Sequence, residues 1–308
     1  MPERISATQS ALEPAGSNAL LIDGLTTVMV AGCGVITLVV LGLLLYVLRS
    51  GSSPASSRTW LIGGGIVFPA VVLTALLAYE LAIGNALSVE APADALTIRV
   101  TGKRWWWEVI YPGPGGGPHV VSANEIHVPV GRTVKLLLDT DDVIHSFWVP
   151  PLAGKIDMIP GRVNHLVFRA ERAGVYRGQC AEYCGAQHAF MAFYVIAHEP
   201  GGYEQWIERE SRSAPGAADP RGPAVFEAAG CGSCHTVRGT AAAGRLGPDL
   251  THLSSRISLG AGMFDMNRGT LAGWIANSQG MKPGNLMPPT RVSPGDLQAL
   301  VDYLEGLK

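Results

Sequence analysis

The sequence Cys180-Ala-Glu-Tyr-Cys184-Gly-Ala-Gln-His188-Ala-Phe-Met191 places two cysteines, a histidine and a methionine in one short segment. A second histidine, His145, lies upstream in Asp-Asp-Val-Ile-His-Ser-Phe-Trp. Thiolate, imidazole and thioether groups are the ligands that soft, redox-active copper selects. The segment therefore predicts a copper site held on one tight loop.

The residues around this loop have the pattern of β-strands. Short β-branched and aromatic runs, broken by turn residues, extend from about Leu96 to His198. The predicted strands are residues 96–100, 125–130, 133–138, 164–168 and 190–196, and a Gly/Pro-rich loop is predicted over residues 112–118. Several such strands within about 100 residues favour a β-sandwich or barrel.

The ligand set is compatible with more than one kind of copper site. Cys184, His188, Met191 and His145 on a sandwich would make a mononuclear blue-copper site, and Cys180 is then an extra ligand. Two thiolates on one loop can instead bridge two copper ions, each with a terminal histidine. A Cys180–Cys184 disulfide is the main alternative in an oxidising compartment. Zinc is disfavoured because it has no use for Met191.

A second cofactor signature lies near the C-terminus. Cys231-Gly-Ser-Cys234-His235 is the attachment sequence of c-type haem, in which the two thiols add to the haem vinyl groups and the histidine binds the iron. The segment Lys282-Pro-Gly-Asn-Leu-Met287 resembles the distal methionine loop of small class I cytochromes c. Met287 is therefore the predicted sixth ligand of the iron.

The C-terminal segment, residues 224–308, contains three other methionines. Met281 is the alternative sixth ligand, while Met263 and Met266 are interpreted as packing residues. Gly247-Pro248 resembles the cytochrome c loop whose proline carbonyl accepts the free N–H of the proximal histidine, here His235.

The apolar residues, 47% of the 308-residue chain, are concentrated near the N-terminus. Residues 25–48 carry no charge, and residues 60–84 are interrupted only by Pro69 and Glu80. A helix of about 24 residues is about 36 Å long, enough to cross a hydrocarbon core of roughly 30 Å. Two transmembrane helices are therefore predicted, and these lengths disfavour two buried core helices.

Charged residues indicate how this hairpin is oriented. The connecting loop, residues 49–59, contains Arg49 and Arg58 and no acid, so the positive-inside rule places it in the cytoplasm and both termini outside. Met-Val-Ala-Gly-Cys33 resembles a lipoprotein cleavage site, but a small residue within a membrane helix is the preferred interpretation of Cys33. The net charge of −2 comes from scattered residues and predicts no nucleic-acid partner.

Residues from about 10 to 210 resemble subunit II of cytochrome c oxidase, whose extramembrane domain holds the dinuclear copper centre CuA. The resemblance rests on the helix hairpin and on the specific Cys180–Met191 segment. It implies that the copper ligands are His145, Cys180, the main-chain oxygen of Glu182, Cys184, His188 and Met191. It also implies that the Glu182 side chain reaches a magnesium ion at the contact with subunit I. Lys-Arg-Trp105-Trp-Trp resembles the family's aromatic patch, which makes Trp105 the candidate point where electrons enter, whereas Trp106 and Trp107 favour a core or membrane-interface role.

The fold class is a multidomain membrane protein with a transmembrane hairpin, a β-sandwich cupredoxin (CuA) domain and a small all-α cytochrome c domain. The predicted divisions are an external N-terminal segment at 1–24, the hairpin at 25–86 with helices at 25–48 and 60–84, the cupredoxin domain at 95–200, a short helix and linker at 201–223, and the cytochrome c domain at 224–308. The cytochrome domain should end in an amphipathic helix over 293–306.

The fused cytochrome resembles that of caa3-type oxidases, and the resemblance implies a complete electron path. Electrons from a cytochrome c or a cytochrome bc complex would pass to haem c, then to CuA, and on to subunit I, which reduces oxygen to water and translocates protons. The implied partners are subunits I and III, in a bacterial inner membrane with the redox domains on the periplasmic face.

The chain departs from the family at one point, because Ser56, Ser57 and Arg58 stand where many members carry an acid before the second helix. Proton uptake by that route would then need a group on subunit I. The main functional alternative is the electron-accepting subunit of a CuA-containing nitric oxide reductase. A copper-delivery protein is disfavoured because delivery needs no haem. The remaining histidines are interpreted as ordinary surface or strand residues: His119, His127, His165, His198 and His252.

Overall fold

A computed structural model of the chain describes residues 6–51, 56–113 and 120–308. These residues form two compact units. One is the helical unit Asn18–Glu90, and the other contains Ala91–Lys308 together with the described residues that precede Asn18.

Two long apolar helices form the helical unit. Helix α1 (Ser17–Ser50) has 34 residues and α2 (Ser57–Leu87) has 31, and α2 takes π-helical form over Trp60–Val67. Both begin earlier than the predicted spans 25–48 and 60–84, and α2 is capped by Ser56, whose hydroxyl accepts from Thr59 N–H. Residues 52–55 of the connecting loop lie outside the described residues.

The apolar side chains of both helices face outward. Leu38 is 71% exposed and Leu61 is 70% exposed, although each helix is long enough to cross a bilayer. A buried core helix would hide these side chains in protein, so the alternative of two core helices is wrong. The hairpin anchors the chain in a membrane.

Ten strands form a sandwich of two five-stranded sheets. The first sheet has the order β3-β2-β1-β5-β8 and the second β4-β10-β9-β6-β7. The strands are β1 (Leu96–Lys103), β2 (Trp106–Tyr111), β3 (Val120–Ala123), β4 (Glu125–Pro129), β5 (Thr133–Thr140), β6 (His145–Trp148), β7 (Ile156–Met158), β8 (Asn164–Arg169), β9 (Gly174–Cys180) and β10 (Ala192–His198).

All five predicted strands are present, as β1, β4, β5, β8 and β10. The last begins at Ala192 rather than 190 because His188–Phe190 forms a 3-10 turn. The predicted Gly/Pro loop is described only up to residue 113. Of the other strands, β3, β6 and β7 have only three or four residues, whereas β2 begins in the tryptophan run interpreted as an aromatic patch and β9 ends at Cys180 of the copper loop.

The core lies between the two sheets. Strand β5 alternates buried and half-buried residues, as expected for period 2, with Val134, Leu136 and Leu138 fully buried. Trp107 is fully buried, and its ring lies 4.9 Å from that of Phe193, so the core interpretation of Trp107 is confirmed. Trp106 is only half-buried.

The segment before α1 packs on the sandwich. Thr8 pairs with Tyr176, and the main-chain N–H groups of Ala15 and Gly16 donate to Pro151 O. Ala15 is 1% exposed. This differs from the predicted division at 1–24, because the described residues before Ser17 belong to the sandwich and α1 starts at Ser17.

The C-terminal domain is built mainly of helices. After α3 (Gly202–Ser211) come α4 (Arg221–Ala228), a short hairpin of β11 (Ser258–Leu259) and β12 (Phe264–Asp265), α5 (Arg268–Met281) and α6 (Pro294–Glu305). The predicted C-terminal amphipathic helix is α6, which is capped by the Ser293 hydroxyl and buries Leu300 and Leu304.

The predicted linker, 213–223, is in contact with this domain. Ala214 N–H donates to Arg238 O at 2.9 Å, and α4 already begins at Arg221. A side chain at Gly222 would place its Cβ 2.4 Å from Cβ of Tyr303, so α4 and α6 approach closely at this glycine.

Candidate copper and haem sites

Three neighbouring strands bring the predicted copper ligands together at one end of the second sheet, where these strands begin or finish. His145 begins β6, Cys180 ends β9 and Met191 directly precedes β10. Strand β9 is antiparallel to both β6 and β10, so the start of each neighbour lies beside the end of β9. Cys184 and His188 lie on the loop between β9 and β10, so this topology collects all five side chains.

The donor atoms form one continuous cluster. The two sulfurs of Cys180 and Cys184 are 3.8 Å apart. Nδ1 of His145 lies 3.8 Å from Cys180 Sγ, whereas Nδ1 of His188 lies 3.7 Å from Cys184 Sγ. Sδ of Met191 lies 3.8 Å from Cys184 Sγ. The five side chains predicted as ligands therefore meet at one place.

This arrangement suits two metal ions rather than one. A disulfide needs sulfurs about 2.05 Å apart, so Cys180 and Cys184 are separate thiols here. Each thiol has its own histidine, and Glu182 O lies 3.2 Å from Cys180 Sγ. Two central sulfurs with an imidazole at either end can be shared between two copper ions. A single tetrahedral zinc ion would leave some of these ligands uncoordinated.

The two thiols strongly affect each other's ionisation. The hydrogen bond between them lowers the pKa of Cys180 to about 3 and, with burial, raises that of Cys184 above its usual range. The pair therefore loses one proton readily and holds the second. A cation bound between the sulfurs would favour loss of the second proton.

Asp142 orients the first histidine. His145 is fully buried, and its Nε2 lies 2.9 Å from Asp142 Oδ1, which leaves Nδ1 facing Cys180. Burial lowers the pKa of His145, but the hydrogen bonds to Cys180 and Asp142 outweigh it and the net pKa is raised. A carboxylate on the outer nitrogen fixes the ring of a metal-binding histidine. Sequence reasoning missed Asp142, although its position three residues before His145 was a usable signal.

Trp105 links the copper loop to the neighbouring domain. Its indole Nε1 donates to Cys184 O at 2.9 Å, and the half-buried ring also lines the large cavity described below. Glu182 and Tyr183 are instead exposed on the copper loop, Tyr183 by 74%. The Glu182 carboxylate accepts from Tyr183 N–H at 3.1 Å.

A cavity of about 640 Å³ occupies the centre of the C-terminal domain and reaches the sandwich. It lies within the usual range for cofactor sites. Its lining includes Cys231, Cys234, His235 and Met287, and Trp105 from the sandwich. The remaining walls are largely apolar, including Leu250, Leu271, Ile275, Leu300 and Leu304. Two thiols, two axial ligand types and apolar walls fit a covalently attached haem.

His235 has the orientation that an iron ligand needs. Its Nδ1 donates to Pro248 O at 2.7 Å, as the Gly247-Pro248 pattern predicted, so Nε2 remains free to coordinate. Burial lowers the pKa of His235, which favours the neutral ring. A side chain at Gly247 would place its Cβ 2.5 Å from Cε1 of His235, so only glycine allows this close approach.

Hydrogen bonds from α5 hold the Met287 loop. Gln279 Nε2 donates to Met287 O at 2.8 Å, and Met287 N–H donates to Asn285 Oδ1 at 2.8 Å. Met287 lines the cavity, whereas the Met281 sulfur packs against Gly273 of α5. These contacts favour Met287 over Met281 as the sixth ligand.

The remaining histidines fall into different classes. His127 and His198 lie on strands, stack on Trp206 and share a 2.8 Å hydrogen bond, while His165 is exposed on β8. His252 is 4% exposed and its Nε2 donates to Arg212 O, so the surface or strand interpretation is wrong for this residue. His119 lies outside the described residues.

Two buried charged side chains join the sandwich to the C-terminal domain, and sequence reasoning missed both. Glu125 accepts from Ile257 N–H at 2.8 Å and Ser258 N–H at 3.2 Å. Lys282 donates to main-chain carbonyls of both domains. A lone charged residue in a sequence is ordinarily exposed, so no local pattern identified either one.

Comparison with known proteins separates the same two domains. Residues 114–198 match the family "Cytochrome C oxidase subunit II, periplasmic domain", and residues 220–308 match "Cytochrome c". Cytochrome c oxidase subunit 2 of Alkalihalophilus pseudofirmus is 36% identical over 248 residues, which are 77% of this chain and 70% of that protein. The subunit 2 of Bacillus sp. (strain PS3) is 30% identical over 253 residues, covering 77% of this chain and 69% of that protein.

A solved structure is also similar to part of the chain. The periplasmic domain of subunit II of cytochrome oxidase of Bradyrhizobium japonicum is 36% identical, with a TM-score of 0.36, and the match covers 39% of this chain and 96% of that one. The identity to relatives over most of their length, and the two matched domains, establish the family. The chain belongs to the cytochrome c oxidase subunit 2 family and carries a cytochrome c domain, as in caa3-type haem–copper oxidases.

Proposed function

We propose that this subunit accepts electrons at a haem c, transfers them to a dinuclear CuA centre, and delivers them to subunit I. Oxygen would be reduced to water there, coupled to proton translocation. The relatives are named cytochrome c oxidases, which favours this function over the nitric oxide reductase alternative. The haem and the copper pair would each carry a single electron at a time.

One observation carries the proposal. Trp105 lines the cavity that contains Cys231, Cys234 and His235, and its indole donates to Cys184 O in the copper cluster. A single side chain therefore spans the distance between the two candidate sites. This makes Trp105 the candidate electron conduit from the protein's own cytochrome domain.

The chain's own residues supply the ligands and hold them in place. Cys231 and Cys234 would hold the haem covalently, with His235 and Met287 as the iron ligands. A methionine ligand raises the potential of the iron, which suits an acceptor of electrons. Pro248 O fixes the ring of His235, and Gln279 with Asn285 fixes the Met287 loop.

The copper loop would be bound by the six predicted ligands: His145, Cys180, Glu182 through its main-chain oxygen, Cys184, His188 and Met191. Strands β6, β9 and β10 support His145, Cys180 and the ends of the loop that carries the other ligands, because the strands are paired by main-chain hydrogen bonds. Such a fixed cage would limit structural change when an electron arrives.

The exposed tip of the copper loop would face subunit I. Glu182 and Tyr183 project from the sandwich, so the Glu182 carboxylate is available for a magnesium ion at that contact. Arg49 and Arg58 flank the connection between α1 and α2, which supports a cytoplasmic position for that connection and a periplasmic position for the redox domains. A cytochrome c or a cytochrome bc complex would be the donor, with subunit III as a further partner.

The direct test is metal analysis and electron paramagnetic resonance of the full chain, purified in detergent with haem attached and copper added. The expected result is two coppers per haem, with the unpaired electron shared equally between them. Cys180→Ser is the matched variant, and it should bind at most one copper with a localised electron. One copper in the unmodified chain would overturn the CuA proposal and leave an anchored cytochrome.

A further inference from the structure

Lys282 is a buried cation between the sandwich and the cytochrome domain. The residue is 2% exposed. Its ammonium group donates to Phe190 O at 2.9 Å and Trp105 O at 3.1 Å in the sandwich, and to Gly260 O at 2.9 Å in the cytochrome domain. All three donors of the ammonium group are satisfied by main-chain carbonyls.

Burying the charge of Lys282 in this environment costs free energy. No carboxylate pairs with Lys282 in the described part of the chain, and burial lowers the pKa of its ammonium group to about 8. An unpaired buried charge is retained only where its partners over-determine its position. Three main-chain carbonyls from two domains surround the Lys282 ammonium group and satisfy that condition. They come together only when the two domains are in contact.

The three carbonyls lie on segments that position the two candidate redox sites. Trp105 also donates its indole N–H to Cys184 O, and Phe190 directly precedes Met191. On the cytochrome side, Lys282 O accepts from Asn285 Nδ2, and Asn285 Oδ1 accepts from Met287 N–H. Lys282 is thus bonded through its side chain to Phe190 beside the copper loop and to Trp105, and through its main-chain carbonyl to Asn285 of the methionine loop.

Neighbouring contacts agree with this arrangement but are weaker. Gln187 on the copper loop donates to Pro283 O, and Ala192 N–H donates to Ala261 O at 3.0 Å. These are hydrogen bonds between neutral groups, and a bond to a charged group is roughly twice as strong. Lys282 and Glu125 are buried ionisable side chains that bond across this surface, and Lys282 is the one that reaches Trp105.

We propose that Lys282 is a positioning residue for electron transfer. Its ammonium group fixes the cytochrome domain against the copper loop in the single orientation that places Trp105 between the sites. The electron-transfer part of this proposal rests on the proposed function, whereas the docking part concerns the protein alone. The cytochrome domain therefore keeps one position against the sandwich and does not move about residues 213–223.

The test compares Lys282→Met, which keeps the length of the side chain without charge or donors, with Lys282→Arg, which keeps both. Lys135→Met is the matched control, because Lys135 is a half-buried lysine of β5 that pairs with Thr97, near the end of β1 remote from Trp105. The first readout is hydrogen exchange of the full chain, followed in peptides containing the Ala192 amide and the Ile257 and Ser258 amides. All three amides donate across the contact.

Lys282→Met should speed exchange of these amides roughly tenfold or more, since it leaves buried carbonyls unsatisfied. Exchange within β1 and β5 should stay unchanged. The second readout is the rate of electron transfer from rapidly photoreduced haem to copper, which should fall about tenfold or more with unaltered copper and haem spectra, because small misplacements are costly. Lys282→Arg should recover much of both effects.

Unchanged exchange and unchanged transfer in Lys282→Met would overturn the proposal, as would equal effects in Lys135→Met. If Lys282→Met does not accumulate, Lys282→Gln provides the test, because it removes the charge and keeps a polar side chain, with a smaller expected change in the same direction. An unmodified chain that shows no transfer from haem to copper would defeat the proposed function, and hydrogen exchange would still decide whether Lys282 holds the domains together.

Discussion

The copper loop and the haem cavity reach their ligand geometry in different ways. At the copper loop, three paired strands and the loop between β9 and β10 hold successive donor atoms 3.7 or 3.8 Å apart. In the cytochrome domain, the ligands line a cavity of about 640 Å³ that the protein itself does not fill. The sandwich is therefore complete as a protein core, whereas the cytochrome domain needs its prosthetic group as part of its core.

Removing the haem is the most direct test of this difference between the two domains. In a Cys231→Ala/Cys234→Ala variant the haem loses its covalent attachment, and without the haem the largely apolar walls of the cavity would be exposed to water. The apolar core of a domain of this size supplies only a small margin of stability, so this loss should be large for the cytochrome domain. We expect the cytochrome domain to lose cooperative unfolding, measured by calorimetry, while the sandwich keeps its own transition.

Cys33→Ala is the control for this variant, because Cys33 is a free cysteine of α1 outside both sites. It should leave haem absorbance and both transitions unchanged. A cytochrome domain that still unfolds cooperatively without haem would show that its core is complete without the cofactor, and the contrast between the two domains would be lost.

The boundary between the two regions should respond to pH through Glu125. Burial raises the pKa of this carboxyl from 4.5 to about 7, against the opposing effect of Arg256. The folded protein therefore keeps the proton between pH 4.5 and 7, where the unfolded chain has lost it. Glu125 alone should therefore contribute a loss of about 3 kcal/mol of stability as pH rises through this window. Its neighbour His127 and also His198 act in the opposite direction, because burial lowers their pKa values to about 3 and about 4, so each stabilises the fold as pH rises toward 6.5.

The measurement is denaturant unfolding of the full chain between pH 5 and 8. Glu125→Gln keeps an acceptor for the Ile257 and Ser258 amides but cannot ionise, so the difference in stability between this variant and the unmodified chain should change by about 3 kcal/mol across this window. An identical pH slope in the variant and the unmodified chain would assign the dependence to another group.

A substitution at Asp142 tests how the copper ligand His145 is oriented. In Asp142→Asn the carboxylate that orients His145 is replaced by an amide of the same size. Copper affinity should fall about 10- to 100-fold, as is usual when such a partner is lost. The sandwich should stay folded, because its strands do not depend on this contact.

Competitive copper titration with a chelator measures this loss, and circular dichroism checks the fold. Asp141→Asn is a matched control, since Asp141 is an exposed neighbour that pairs with Lys103 rather than with a copper ligand. Equal affinities in Asp142→Asn and the unmodified chain would show that the strands alone orient His145.

Much of both sites could be predicted because their ligands are chemically distinctive and close in sequence. The Cys180–Met191 segment and the Cys231–His235 segment each carry their own chemistry, and only His145 and Met287 had to be found at a distance. The two transmembrane helices could also be predicted, because the length and apolar composition of their segments indicate them directly.

The residues that escaped prediction act through tertiary contacts. Asp142, Glu125 and Lys282 have ordinary neighbours in sequence, and each becomes specific only when a strand or domain from elsewhere packs against it. The linker at 213–223 shows the same limit, because an Ala/Pro/Gly-rich composition permits motion but cannot reveal that Ala214 is bonded to Arg238. Local patterns indicate chemistry, whereas the relation between the two sites is a property of the folded chain.

The smallest expected effect lies where the two regions meet, at Trp105. Trp105→Phe keeps an aromatic ring between the cavity and the copper loop but removes the indole N–H that donates to Cys184 O. The lost hydrogen bond should cost about 1 kcal/mol of stability. Electron transfer from haem to copper should slow only severalfold if the ring provides the contact, and far more if the hydrogen bond does. Trp105→Leu separates these cases, since it removes both. Equal rates in the two variants would identify the hydrogen bond to Cys184, rather than the aromatic ring, as the connection between the copper loop and the haem cavity.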